Sequence, residues 1–311
     1  MRAFIFPGQG SQAVGMGQAL ADASGAAREV FQEVDDALGQ RLFRLMAEGP
    51  ADALTLTENA QPAIMANAIA TLRVLEREGG IRLADKAGYV AGHSLGEYSA
   101  LCAADALALA ETARLLKLRG RAMQAAVPVG EGAMAALLGL DFEAAAAIAA
   151  DAAEGEVCAA ANDNAPGQVV ISGHKGAVER AVEIAKVRGG KRAMLLPVSA
   201  PFHCALMEPA ARAMEKALAA AALRAPLVPL YANVTAAPVA DPAQIRTLLV
   251  DQVTGMVRWR ESVAAMAAAG VTQFVEFGGK VLAPMVKRIA PEAAATSVVT
   301  MADIEAFAAS L

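Results

Sequence analysis

A glycine-flanked serine stands near the end of the first third of the chain, in Gly92-His93-Ser94-Leu95-Gly96. A short apolar run over residues 88–91 precedes this motif, and a helix-like segment over residues 97–103 follows it. Strand, G-x-S-x-G and helix together are typical of a nucleophile elbow, a sharp turn that lifts a serine hydroxyl above the sheet. Glycine is needed on both sides because neighbouring side chains would clash there. The pattern therefore favours a nucleophilic Ser94 over an ordinary glycine-rich turn.

A nucleophilic serine needs a base, and the chain has three histidines, His93, His174 and His203. At a strand end, His93 is expected to point away from its neighbour Ser94, and His174 is expected at the start of a polar helix. His203 lies in a loop between an apolar run and a helix, where functional sites are commonly built. We predict that His203 is the general base and acid. No aspartate follows a strand at the position of a third triad member, so a backbone or amide oxygen could orient the imidazole.

The loop after the first predicted strand, residues 7–12, allows two interpretations. Gly8-x-Gly10-x-x-Ala13 fits the dinucleotide-binding fingerprint, with Glu29 or Glu33 as the acidic partner, although no clean second strand ends at either acid. Alternatively, the backbone of Gln9 faces the serine and, with the free N–H of Leu95 at the helix start, forms an oxyanion hole. The first interpretation predicts an oxidoreductase, and the second predicts an acyl-transfer enzyme.

Composition restricts the class of protein. The chain has 311 residues, of which 56% are hydrophobic, and a formal net charge of −5, which argues against nucleic acid as a partner. No apolar run has a membrane-spanning length, and the N-terminal residues lack a signal-peptide layout, so we expect a soluble, cytoplasmic protein without a membrane partner. The three scattered cysteines have no metal-ligand spacing and are expected to be reduced.

Hydrophobic periodicity predicts helices alternating with short strands on both sides of a segment with a different rhythm. That segment reads strand, helix, strand, strand, helix, strand, which is the ferredoxin-like βαββαβ unit. We therefore predict an α/β-hydrolase-like, mainly parallel sheet core with an inserted ferredoxin-like small subdomain. The large subdomain takes residues 1–130 and 199–311, and the small one takes residues 131–198. Ser94 and His203 then meet across the cleft between them.

Other polar residues have expected places. Gln61 and Asn67 are expected to be cap and surface groups, although they could face a pocket. Residues 162–167, Asn-Asp-Asn-Ala-Pro-Gly, are expected to form a turn-rich hairpin connection. Arg119 precedes Gly120 on a predicted helix, and a buried arginine can hold a carboxylate with two parallel hydrogen bonds.

Several motifs in order give the chain a family resemblance from end to end. The chain resembles the malonyl-CoA:acyl carrier protein transacylases of bacterial fatty-acid synthesis. The matching segments are Phe6-Pro7-Gly8-Gln9-Gly10-Ser11-Gln12, Gly92-His93-Ser94-Leu95-Gly96-Glu97-Tyr98-Ser99, Arg119-Gly120, Asn162-x-Asn164-x-Pro166-Gly167-Gln168, Pro201-Phe202-His203-Cys204-Ala205-Leu206-Met207, Asn233-Val234, and Gln252 shortly before Val257-Arg258-Trp259.

The resemblance implies a role for each matching position. Ser94 would attack the thioester of malonyl-CoA and carry the malonyl group, His203 would be its base, and the backbone carbonyl of Gln252 would hold the imidazole. Backbone N–H groups of Gln9 and Leu95 would form the oxyanion hole, and Arg119 would pair with the free malonate carboxylate. The remaining substrate-binding positions are Phe202, Asn162 and Asn164. A buried carboxylate must be paired, so Arg119 would select malonyl over acetyl.

The resemblance also implies a ping-pong serine acyltransferase without metal or cofactor, whose second substrate is an acidic acyl carrier protein, and we expect a monomer. Basic residues near the small subdomain or on the late helix are candidates for its docking, namely Lys186, Arg188, Lys191, Arg192, Lys280, Lys287 and Arg288. One departure is visible, because Gly278-Gly279-Lys280 replaces the usual Gly-Pro-Gly. A serine hydrolase or thioesterase, the oxidoreductase and a non-catalytic scaffold are the alternatives.

Overall fold

The computed structural model describes residues 1–198 and 200–311 and places ten strands in two sheets. In chain order, the strands are β1 Arg2–Phe6, β2 Tyr89–Gly92, β3 Gly132–Leu138, β4 Cys158–Ala165, β5 Gln168–His174, β6 Arg192–Leu195, β7 Leu230–Ala232, β8 Ala237–Val239, β9 Gln273–Phe277 and β10 Ala294–Val298.

Helices cover both sheets. In chain order they are α1 Gln18–Ala23, α2 Gly25–Leu38, α3 Leu42–Glu48, α4 Ala51–Thr55, α5 Thr57–Arg77, α6 Leu83–Lys86, α7 Gly96–Ala103, α8 Leu109–Ala125, α9 Phe142–Ala153, α10 Lys175–Val187, α11 Glu208–Ala220, α12 Pro242–Thr254, α13 Trp259–Ala268, α14 Leu282–Ile289 and α15 Met301–Ala309. A single 3-10 turn, Ala205–Met207, leads into α11. No helix in these described ranges is both long and apolar enough to cross a membrane.

The larger sheet has six strands in the order β10-β9-β1-β2-β7-β8. All neighbouring pairs are parallel except β7 and β8. Alternate side chains of β1 enter different cores, because Phe4 and Phe6 join one hydrophobic cluster while Ala3 and Ile5 join another. The sheet is therefore buried on both faces, as predicted for a mainly parallel core.

The smaller sheet is antiparallel, in the order β4-β5-β3-β6, with α9 and α10 in the same segment of chain. This is the predicted βαββαβ unit. It has a hydrophobic cluster of its own, which includes Leu137, Ile148, Ile171 and Val178. Because this core is separate, we propose that residues 131–198 form a small subdomain, and that residues 1–130 and 199–311 form the large one.

The edge strand of the small sheet is tied to the large subdomain. Asn162 forms an isolated parallel bridge with Val257, and the buried carboxylate of Asp163 is paired with Arg260 on α13, whose Nη2 lies 2.8 Å away. Residues 162–165 therefore continue β4, and only Pro166 and Gly167 remain in the turn. The expected hairpin connection was too long, because Asn162, Asp163 and Ala165 pair with β5 across the turn, at Val170, Val169 and Gln168.

The Gly278-Gly279 loop is closely packed without a proline. Gly278 has φ 75°, and a Cβ there would lie 2.6 Å from Cα of Ala68. Glu276 precedes the loop, and its buried carboxylate accepts hydrogen bonds from three amides that follow the loop at the start of α14. These are the amides of Val281, Leu282 and Ala283, at 2.8–3.0 Å. Glycine geometry and this cap therefore determine the turn.

Candidate active site

Ser94 lies on the turn between β2 and α7, with a left-handed backbone at φ 53°. The flanking glycines are required by close packing. A Cβ on Gly92 would lie 1.9 Å from the carbonyl carbon of Gly96, and a Cβ on Gly96 would lie 2.2 Å from the carbonyl oxygen of Phe6. The predicted strand–turn–helix geometry, with glycine needed on both sides of the serine, is confirmed.

His203 reaches the serine from the loop before α11. Its Nε2 lies 2.7 Å from Oγ of Ser94, and its Nδ1 lies 2.9 Å from the carbonyl oxygen of Gln252 and 3.1 Å from that of Gly255. Carbonyl oxygens only accept, so Nδ1 carries the proton and Nε2 is free to accept the serine proton. Burial, assisted by the positive charge of Arg119, lowers the pKa of His203 to about 3. The imidazole is therefore neutral near pH 7, as a general base must be.

Arg119 on α8 is 1% exposed, and its guanidinium lies beside the hydroxyl of Ser94. Nη1 donates to Oε1 of Gln61 at 2.9 Å, and Nη2 donates to Oε1 of Gln252 at 2.8 Å and to Oγ of Ser94 at 3.0 Å. Burial lowers the pKa of Arg119. Across residues 1–198 and 200–311, no carboxylate lies within ion-pair distance of this group, and its buried Nε has no hydrogen-bond partner. An unpaired buried cation is costly, so the site is built to receive an anion.

Asn233, after β7, fixes the backbone of the elbow. Its Oδ1 accepts from the amide of Ser94 at 2.8 Å, and its Nδ2 donates to the carbonyl of Gly92 at 2.7 Å. The amide of Ser94 is thus occupied. The amides of Gln9 and Leu95 have no protein acceptor in the described part of the chain, and both residues line the cavity. They are the free donors near the serine, which suits an oxyanion hole.

A cavity of about 370 Å³ opens over the serine. Its walls include residues of both proposed subdomains, namely Gln9, Gln61, Ser94, Leu95, Arg119, Met123, Met134, Asn162, Phe202 and His203. Asn164 lies beside it and bonds through Oδ1 to Nε2 of His93 at 2.8 Å. No group of three or more His, Cys, Asp or Glu side chains among the described residues could hold a metal ion.

Comparison with known proteins agrees with this geometry. Residues 3–298 match the acyl transferase domain family. The chain belongs to that family. Over 288 residues, this acyl transferase is 48% identical to the malonyl CoA-acyl carrier protein transacylase of Escherichia coli strain K12, covering 92% of each chain. With the enzyme of the same name from Bacillus subtilis strain 168, identity is 46%, covering 92% of this chain and 90% of the relative.

Solved structures give the same result. The acyl transferase aligns with an acyl-carrier-protein-S-malonyltransferase from Bartonella henselae at a TM-score of 0.96, with 55% identity over 98% of each chain. It also aligns, at a TM-score of 0.96 and 40% identity, with a malonyl-transacylase in complex with its type II PKS acyl-carrier protein, over 100% of this chain and 99% of that one.

His93 departs from expectation in this acyl transferase. It was expected to point away from the serine, yet it lines the same cavity. Strand alternation ends at Gly92, and the following turn, closed by the bond from Gly96 N to His93 O at 2.9 Å, redirects the side chain. Burial lowers the pKa of His93, so the ring is neutral between Asn164 and Trp259. A prediction from alternation holds only while the chain stays extended.

The loop after β1 does not have the form of a dinucleotide site. No helix follows the glycines directly, because α1 begins at Gln18. A Cβ on Gly8 would lie 2.7 Å from the carbonyl oxygen of His93, so the loop packs on the elbow instead. In the acyl transferase, the glycines of this loop therefore allow a close approach to the serine.

Sequence reasoning assigned Gln61 and Asn67 mainly to cap and surface positions, yet both are buried. Glu97 and Asn233 had no expected role beyond the family motifs, although Asn233 accepts from the amide of Ser94 and Glu97 accepts from the amide of Asn233. A polar residue within an otherwise apolar helix, such as Gln61 in α5, was the signal available for the first of these.

Proposed function

We propose that this chain transfers the malonyl group from malonyl-CoA to the phosphopantetheine thiol of acyl carrier protein, supplying the extender unit for fatty-acid synthesis. The observation that carries the proposal is the buried, unpaired guanidinium of Arg119, 3.0 Å from the serine hydroxyl. A buried cation without an ion-pair partner at that position suits an acyl chain that ends in a carboxylate. The names of the related transacylases support the same substrate and partner.

In the first half-reaction, His203 Nε2 takes the proton of Ser94 as Oγ attacks the thioester carbonyl carbon. The amides of Gln9 and Leu95 stabilise the oxyanion, while Arg119 pairs with the malonyl carboxylate. Phe202 and Asn162 line the acyl cavity, and Asn164 supports its wall through His93. The tetrahedral intermediate then breaks its C–S bond, coenzyme A leaves with the proton held by His203, and malonyl-Ser94 remains.

In the second half-reaction, the thiol of the carrier protein gives its proton to His203 and attacks the ester carbonyl of malonyl-Ser94. Breaking the ester C–O bond returns the proton from His203 to Ser94. The carbonyl oxygens of Gln252 and Gly255 keep the imidazole in one orientation through both halves. No acidic third member is needed, because the imidazolium is transient and its Nδ1–H is already bonded.

Part of the basic surface is engaged within the chain. Lys186 pairs with Glu183, Arg188 pairs with Asp151, and Arg288 donates to the carbonyl of Pro166. Among the described residues, Lys191, Arg192, Lys280 and Lys287 have no ion pair, so we propose that these are available to the acidic carrier protein. Charge reversal at the docking patch should raise KM for carrier protein and leave KM for malonyl-CoA unchanged. An equal rise in both would contradict the proposal.

We also propose that the enzyme works as a monomer in the cytoplasm. Ser94, His203, Arg119 and the cavity walls all come from one chain. The three cysteines, Cys102, Cys158 and Cys204, are free thiols, as expected in a reducing compartment.

Intact mass measurement tests the function. Wild type mixed with malonyl-CoA should gain one malonyl group, Ser94→Ala should gain none, and addition of carrier protein should move the group to its thiol. Release of coenzyme A and free malonate without transfer would instead support the thioesterase alternative. Unchanged function in Ser94→Ala would support the scaffold alternative.

A further inference from the structure

Glu97, in the first turn of α7, is a buried carboxyl group without a catalytic assignment. It is 1% exposed, and no cation among the described residues lies within ion-pair distance. Its Oε1 accepts from the backbone amide of Asn233 at 3.3 Å, and its Oε2 accepts from Nε2 of Gln252. Both oxygens thus hold residues that contact the active site.

The side-chain amide of Gln252 has two possible orientations, and its neighbours select one. Three oxygens surround Nε2, namely Oε2 of Glu97, the carbonyl oxygen of Ser94 at 3.0 Å, and Oδ1 of Asn233 at 3.3 Å. In this orientation Oε1 points to Arg119 and accepts from Nη2 at 2.8 Å. A flipped amide would direct a donor at the guanidinium and place its oxygen among acceptors.

We propose that Glu97 is a positioning residue for Arg119, acting through the side chain of Gln252, and that it thereby determines the preference for a carboxylate-bearing acyl group. This inference rests on the proposed malonyl transfer. Glu97 would act indirectly, because Arg119 would contact the substrate and Glu97 would not.

The charge state of Glu97 suits this role. Burial raises the pKa of Glu97 to about 8, although hydrogen bonds from Gln252 and Asn233 oppose the rise. Near pH 7 the carboxyl therefore adds little negative charge, and the charge of Arg119 stays available to an acyl carboxylate. Glu97→Gln then changes the hydrogen-bond pattern more than the charge. Both oxygens of a neutral carboxyl can accept a hydrogen bond, whereas the amide of the Glu97→Gln variant accepts through its oxygen only. In that variant, the NH2 group would face either Nε2 of Gln252 or the backbone N–H of Asn233, which are both donors.

The experiment measures initial rates of Ser94 acylation by malonyl-CoA and by acetyl-CoA. For Glu97→Gln, the ratio of malonyl to acetyl acylation rates should fall by about tenfold. The reason is that the variant no longer holds Gln252 in the orientation that accepts from Arg119, and loss of one hydrogen bond to a charged group has an effect of about that size. Glu276→Gln is the matched control, because Glu276 is also a fully buried carboxyl, but it caps α14. That variant should keep the wild-type ratio even if it is less stable.

A double-mutant cycle separates positioning from general damage. In the Arg119→Ala background, Glu97→Gln should leave the ratio unchanged, because the group through which it acts is absent. An equal fall in both rates for Glu97→Gln alone, or a change in the ratio that persists without Arg119, would overturn the inference.

Two further results keep the test decisive. If Glu97→Gln does not fold, Gln252→Leu removes the same link while retaining the backbone carbonyl that holds His203, and it should lower the ratio similarly. An unchanged ratio there would overturn the inference. Failure of wild type to accept malonyl would reject the proposed function itself, whereas a malonyl-selective wild type with an unaffected Glu97→Gln would reject only the role of Glu97.

Discussion

Ser94 and His203 share a 2.7 Å hydrogen bond, and both have left-handed backbones, with φ 53° and 58° respectively. Neither is a glycine, so each position is strained in favour of side-chain placement. The elbow directs Oγ into the cavity, and the loop before α11 directs Nε2 to meet it. Backbone strain is thus part of how the hydroxyl of Ser94 and the imidazole of His203 are brought together.

This strain predicts a stability difference between two inactive variants. Ser94→Gly and Ser94→Ala both remove the hydroxyl, but only glycine adopts φ 53° without a Cβ penalty. We expect the free energy of unfolding of Ser94→Gly to exceed that of Ser94→Ala by about 1 kcal/mol. Urea unfolding followed by circular dichroism measures this difference. Equal stabilities would show that the turn is not strained at this position.

Removal of the buried guanidinium should abolish acyl selectivity. In Arg119→Ala, the ratio of malonyl to acetyl acylation should fall about 100-fold, because the malonyl carboxylate would be buried without a partner. Arg121→Ala is the control, since its side chain is 64% exposed and pairs with Glu58 at the surface. That variant should stay within about twofold of wild type. A retained malonyl preference without Arg119 would require another carboxylate-binding group.

The lowered pKa of His203 predicts that the rate of Ser94 acylation changes little as the pH is lowered below 7. A histidine with the ordinary pKa of 6.5 would lose its basic form below that pH, whereas His203, at about 3, stays neutral. Ser94 acylation in short incubations should therefore vary little between about pH 8 and about pH 5. Rapid quenching and mass measurement give the rates, with circular dichroism confirming the fold. A break near pH 6.5 would mean that water reaches the imidazole.

Substitution of Gly96 by alanine should not be tolerated. Gly96→Ala would place a Cβ 2.2 Å from the carbonyl oxygen of Phe6, which is backbone in a central strand. We expect a loss of about 3 kcal/mol in the free energy of unfolding, together with loss of acylation. Gly25→Ala is the comparison, because its Cβ would lie 3.7 Å from a flexible Arg28 side chain. That change should stay within about 0.5 kcal/mol.

Local signals in the sequence predicted the parts of the fold that depend on local chemistry. The sequence predicts a helix over residues 142–153 and a strand over residues 273–277, and α9 and β9 have those bounds. An aspartate cap begins the helix, and an apolar run defines the strand. The Ser94 elbow was equally readable, because its glycines are needed within five residues of chain.

Other features depend on distant partners and could not be read locally. Proline suits the first turn of a helix, so the sequence predicts a helix that begins at Pro62, but α5 begins at Thr57 and Pro62 lies inside it. The sequence predicts a last strand over residues 298–300, whereas β10 is Ala294–Val298, because its bounds follow its pairing with β9. The short β8, which contains Pro238, gives no strand signal, since it exists only as the antiparallel edge beside β7.

The site shows the same division. The proposed roles of Ser94, His203 and Arg119 come from residue types and motifs, and the structure brings their side chains together. Gln61 and Glu97 gave weaker signals, because their importance arises from burial against Arg119 and Gln252, which lie on other helices. Such contacts become visible only when the helices are packed.

The charge of Arg119 also acts on the base. After burial, it is the second cause that lowers the pKa of His203, and it makes the imidazole a weaker proton acceptor. A carboxylate seated on Arg119 cancels that charge and makes proton transfer to the imidazole easier. The malonyl carboxylate therefore favours the attack by Ser94 on its own thioester. An uncharged acetyl group or a water molecule brings no negative charge to Arg119 and gives no such assistance.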